Sequence, residues 1–187
     1  MQKTVSSATP FTPEILGMQH PAVITLGYRA HAENEILSAD AIPTVKIDRG
    51  GLATIHSEGQ LVIYPILQLS QYGLGVRQYV DLLLETTAHV LRQSYGISAQ
   101  RDESGVGLFT AAGKIVFCGI KVKSGVTQHG LSINMKNDLA LFRHIIPCGF
   151  QNPKFDKVEN YVSEFSPKDF FDSWVKEFSS RLITAVI

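Results

Sequence analysis

Cysteine is scarce in this chain: there are two, Cys118 and Cys148, in unlike surroundings. That excludes the disulfide framework of a small secreted domain and fits a reducing, cytoplasmic setting. Net charge is missing as well, because 17 basic residues offset 17 acidic ones, so nonspecific binding to nucleic acid is not expected. No apolar run approaches the roughly 18 residues of a membrane helix, and the N-terminus lacks the basic start and apolar stretch of a secretory signal. Internal repeats, low-complexity blocks and a glycine-rich phosphate loop ending in Lys-Ser or Lys-Thr are absent too. What is there is a chain of 187 residues, 44% of them hydrophobic, which suffices for one ordinary core. A domain of this size buries about 70% of the surface its unfolded chain exposes. The chain is read as a single domain, 1–187, with residues 1–13, polar and rich in Ser, Thr and Pro, forming a loose arm.

The pattern along the chain alternates strand and helix signals without a regular βαβ rhythm. Ala22 to Gly27, Thr44 to Ile47, Leu61 to Ile66, Val106 to Thr110, Lys114 to Lys123 and Thr127 to Asn134 read as strands. Pro65 predicts an edge or a bulge, since proline cannot donate to a ladder. A short helical stretch is expected at His31 to Ala39. The clearest helix runs from Gly75 to Tyr95, with Val76, Tyr79, Val80, Leu83, Leu84, Thr87, Val90 and Leu91 on one stripe and Gly96 as its stop. A second begins at Ser166-Pro167, serine capping and proline opening the first turn, with Phe170, Phe171, Trp174, Phe178 and Leu182 as its core stripe. The fold class is therefore α+β, a mixed β-sheet flanked by helices.

Four clusters carry chemistry. In the first, Arg49 precedes Gly50-Gly51, and His56 follows. Paired glycines let backbone approach a ligand, and the arginine can hold a carboxylate or phosphate or can anchor the loop; taken alone, the cluster reads first as a plain turn between strands. In the second, Lys114 follows Gly113 and opens an apolar strand, where desolvation would make its amine an acid–base group. The third is His129-Gly130, a structural histidine or a pocket-lining one. The fourth is Pro147-Cys148-Gly149, a thiol in a loop with room around its sulfur, whereas Cys118 sits in an apolar string and reads as inert core. A thiol can hold an acyl group as a thioester while an amine moves protons.

In this order the clusters, carried by RGGLATIHSEGQLVIYPI (49–66), GKIVFCGIKVKSGVTQHGLSINMKNDLALF (113–142) and IIPCGF (145–150), resemble the lipoyl(octanoyl) transferases, the LipB family. The resemblance implies the fold of biotin and lipoate protein ligases. It implies transfer of an octanoyl group from acyl carrier protein to a lysine of lipoyl domains, those of 2-oxoacid dehydrogenases and the glycine cleavage H protein, with no cofactor, metal, nucleic acid or membrane. It places the nucleophile at Cys148 and its partner amine at Lys114. It brings Arg49, Gly50, Gly51, His56, His129 and Gly130 to the pocket wall. Where the family has tyrosine before the first histidine and Gly-Pro after it, this chain has Ile55, Ser57 and Glu58, in a loop expected to touch substrate. Lys121, Lys123 and Arg143 are candidates for meeting acidic carrier domains, or form a solvated face. Two other readings stay open: an ATP-dependent lipoate or biotin ligase, which would not need Cys148, and a noncatalytic homologue that only binds acyl chains or carriers.

Overall fold

The computed structural model describes residues 11–38, 42–102, 105–146 and 154–184. Cys148, with Pro147 and Gly149, lies outside these ranges. Nine strands among the described residues form two sheets. The larger holds β1 (Glu14–Met18), β5 (Gln60–Ile66), β6 (Gln100–Asp102), β7 (Gly105–Phe109), β8 (Lys114–Lys123) and β9 (Val126–Asn134), in the order β1-β5-β9-β8-β7-β6 with every pair antiparallel. The smaller, ordered β3-β2-β4, joins β2 (Val23–Leu26) to β3 (Thr44–Lys46) in parallel and to β4 (Ala53–His56) antiparallel. Among these strands the parallel pairing expected of a mixed sheet is confined to the small one, with one isolated parallel bridge, Lys114↔Phe155, at the start of β8. A single turn of helix, α1 (Ala32–Glu35), links β2 to β3.

Two long helices, α2 (Val76–Tyr95) and α3 (Pro167–Thr184), cover one face of the large sheet. α2 begins where Gln78 Oε1 accepts from Gly75 N–H at 2.9 Å and ends at Gly96, whose φ of 68° is cheap only for a residue without a side chain. Ser166 Oγ accepts from Asp169 N–H at 3.1 Å and caps α3. Tyr79, Leu83, Leu84 and Leu91 of α2 meet Phe170, Trp174 and Phe178 of α3 over Leu131 and Ile133 of β9. Trp174 Nε1 donates to Thr87 Oγ1 at 2.9 Å, so the largest buried ring leaves no polar atom orphaned. A second core, with Ile24, Ile55, Phe117 and Phe142, fills the space between the two sheets. Among the described residues no helix is long and apolar enough to cross a membrane.

Strand β1, which the sequence pattern did not announce, starts directly after the segment read as an arm and pairs from Glu14↔Ile66 to Met18↔Val62. One expectation needed adjustment. Pro65 lies in an interior strand, not an edge. Its carbonyl accepts from Thr127 Oγ1 at 2.7 Å and from Tyr79 OH at 3.1 Å. The missing N–H faces that same side, toward β9, and the β5–β9 register stops before it, at Ile63↔Leu131. The proline therefore sits where the ladder has already ended.

Candidate active site

A cleft of about 570 Å³, measured out to its open mouth, lies between the uncovered face of the large sheet and the small sheet. Arg49, Gly50, Gly51, His56, Lys114, His129 and Gly130 all line it, so the structure brings the partner amine together with the six residues assigned to the pocket wall. Apolar surface comes from Leu52, Val62 and Phe117.

Lys114 is buried, with 4% of its surface exposed. Its Nζ donates to Val106 O at 3.2 Å and stands 5.1 Å from the Phe109 ring centre and 5.0 Å from that of Phe117. Two ring faces at this distance each return about 0.5–2 kcal/mol of the hydration an ammonium loses. Gly107 makes the position possible: a Cβ there would come within 2.7 Å of Lys114 Cε and 2.2 Å of Val116 O. The sequence presents Gly107 as one more strand glycine; only the Gly107↔Phe117 pairing reveals that the lysine stem crosses over it.

The backbone of Lys114 is held from the other side. Its N–H donates to Lys154 O at 2.9 Å and its carbonyl accepts from Asp156 N–H at 3.0 Å. Asp156 in turn is fully buried, and its carboxylate accepts from Thr110 Oγ1, Tyr161 OH, Asn160 Nδ2 at 2.7 Å and Lys157 N–H at 2.9 Å. Burial pushes this carboxyl up, but the four donors together win and hold it below its ordinary value. Upstream, Ile146 N–H donates to Glu35 O at 2.7 Å, while the Glu35 carboxylate accepts from Ala53 N–H in the cleft wall.

Arg49 proves to be an anchor. Its Nη2 donates to Thr25 O at 2.7 Å and Thr25 Oγ1 at 3.0 Å, and its Nη1 to Gly50 O at 3.0 Å. The loop it fixes lies across β8, where Gly50 N–H donates to Ile120 O at 2.9 Å and Gly119 leaves space for the Gly50 carbonyl. Gly51, at φ 93°, takes a turn that side chains resist.

His56 Nδ1 lies 2.7 Å from Gln60 Oε1, and burial lowers the imidazole to about 4, leaving it neutral at pH 7. His129, at an unusual φ of 59°, directs Nε2 to Asp48 Oδ1 at 2.8 Å. Asp48 also binds Lys121, and these two partners bring its carboxyl down to about 2. Lys121 is therefore engaged on its own surface, while Lys123 and Arg143 are exposed. Cys118 is half-buried against the helix-side core, and burial pushes its thiol up to about 12. Ser57 and Glu58 do not line the Lys114 cleft. They form the turn from β4 to β5, with Gln60 N–H donating to Ser57 O at 3.1 Å, and they border a separate groove with Pro21, Ala22, Asp138 and Leu141.

The two packed sheets with their flanking helices form the fold of the lipoate and biotin protein ligases. A bipartite lipoate protein ligase from Thermoplasma acidophilum, solved in work that included its E2 lipoyl domain, superposes with a TM-score of 0.75 at 16% identity, covering 92% of this chain and 72% of that one. A biotin protein ligase from Aquifex aeolicus does so with a TM-score of 0.54 at 14% identity, over 68% of this chain and 54% of that one. The chain belongs to the lipoyl protein ligase A/B catalytic domain family, whose model matches residues 2–179. Within it, the octanoyltransferase of Laribacter hongkongensis is 40% identical over 97% of this chain and 87% of its own length. The octanoyltransferase of Dichelobacter nodosus is 38% identical over 88% of this chain and 82% of its own length.

Proposed function

We propose that Cys148 and Lys114 carry out acyl transfer through a thioester held on Cys148. The chain is an octanoyltransferase of lipoate biosynthesis, as its relatives across most of its length are. The observation that carries the catalytic assignment is Lys114 itself, an amine desolvated between two phenyl rings on the floor of the family's cleft. Nothing in apolar packing calls for a lysine there, and acid–base work does.

In the first half-reaction the Cys148 thiolate attacks the thioester carbonyl of an octanoylated acyl carrier. The carrier's thiolate leaves and takes a proton from the Lys114 ammonium. In the second, the lysine amine of a lipoyl domain attacks the octanoyl-Cys148 thioester. An amide forms, Cys148 departs as thiolate, and the surplus proton of the amine passes to Lys114. Thioester to thioester to amide runs downhill, so no nucleotide is consumed. Octanoyl acyl carrier protein as donor, the lipoyl domains of 2-oxoacid dehydrogenases and the glycine cleavage H protein as acceptors, and a cytoplasmic setting are part of this proposal.

Mass spectrometry after incubation with octanoyl acyl carrier protein and no ATP tests it. The wild type should gain one octanoyl group on Cys148, and Cys148→Ala should gain none and transfer none. Transfer that requires ATP, or that survives Cys148→Ala, overturns the assignment in favour of a ligase.

A further inference from the structure

A chain of buried amides fixes which nitrogen of His56 carries its proton. The backbone carbonyl of Asp156 can only accept, and Asn134 Nδ2 donates to it at 3.0 Å. Asn134 Oδ1 is therefore the acceptor end of that amide, and it receives Gln60 Nε2 at 2.9 Å and Asn137 Nδ2 at 3.1 Å. Gln60 thus turns Oε1 toward His56 Nδ1, 2.7 Å away, and an amide oxygen demands a proton from that nitrogen. Gln60 and Asn134 are both fully buried, so no water enters to reverse the polarity. With the ring neutral, Nε2 keeps its lone pair, and among the described residues no hydrogen-bond partner takes it.

We propose that His56, locked as the Nδ1–H tautomer, offers Nε2 in the cleft as the acceptor for an N–H group of the substrate during acyl transfer. Its burial, which keeps it from binding a proton near pH 7, makes it an orienting group and not a base. Acyl transfer from a carrier arm to an amine supplies two such donors, the amide N–H of the arm and the amine N–H of the acceptor. A substrate presenting only lone pairs would leave the nitrogen unmatched. The inference rests on the acyl-transfer reading for the donor's identity, whereas the proton on Nδ1 stands on the hydrogen bonds alone.

The test uses the full chain labelled with ¹⁵N at histidine, with each half-reaction timed separately. The His56 resonances should be those of a neutral ring with a protonated Nδ1 and a bare Nε2. A protonated Nε2 or an imidazolium at pH 7 overturns the proposal. His56→Asn keeps a donor where Nδ1 was and deletes the Nε2 acceptor. It should fold as the wild type does and slow one half-reaction on the order of tenfold, the loss of one hydrogen bond. Slower acylation by octanoyl acyl carrier protein identifies the arm amide as donor; slower transfer to the lipoyl-domain lysine identifies the amine. His56→Gln, which restores an acceptor near the Nε2 position, should recover part of the rate. Two unchanged half-reactions in His56→Asn, or a glutamine variant slower than the asparagine one, overturn the proposal. A wild type that never acylates removes the transfer reading itself, a result the spectra do not depend on.

Discussion

The cleft is built around contacts that a single methyl group would disturb. Gly107→Ala places a carbon where Lys114 Cε and the Val116 carbonyl now lie. The variant should lose about 1–3 kcal/mol of stability and at least about tenfold in octanoyl transfer, because the lysine stem must move off its two rings. Denaturant unfolding and a transfer assay on the same preparation check both. His56 makes a second prediction, about pH. Its imidazole titrates at 6.5 when unfolded and at about 4 when folded. Between those values the unfolded chain binds the extra proton. Stability is therefore full above pH 6.5 and falls as the pH drops, with about 2–3 kcal/mol lost on reaching the folded value. His56→Asn should flatten that slope, and unfolding curves at stepped pH will register it.

At the scale of elements, chemistry and packing occupy opposite faces of one sheet. Trp174 and Thr87 join α3 to α2 on the far side from Lys114. Trp174→Phe should cost about 1–3 kcal/mol and leave the turnover number unchanged, measured by thermal unfolding alongside steady-state kinetics. α2 and α3 were legible in the sequence because a helical stripe is a local pattern: residues three and four apart must share a face. Val76 is the exception, half-exposed at the first turn where the stripe has not yet met the sheet. β1 was not legible, since five residues after a Pro-Thr segment become a strand only through β5, far along the chain. The same reason hid the division into two sheets. In the cleft, Lys114 and the Gly50-Gly51 loop announced themselves by residue type, whereas Gly107 and the Gln60–Asn134–Asp156 relay depend on contacts between distant positions that no local window contains.

For the molecule as a whole, balanced charge leaves steering to local groups. Asp48 pairs with Lys121, so of the three cations proposed to meet an acidic carrier the exposed Lys123 and Arg143 are the ones to reverse. Reversing both to glutamate should raise KM for the carrier several-fold at low salt, leave kcat alone, and lose its effect as ionic strength rises. Equal KM values at every salt concentration would assign these two cations to the solvated surface.

The guanidinium of Arg49 has a further consequence. By gripping Thr25 and the Gly50 carbonyl from within, it sets the rim of the cavity before any guest arrives. The lip needs no ordering step at each visit, and the entropy that such a step would cost was met once, when the polypeptide first folded. Successive cycles accordingly start from the same mould.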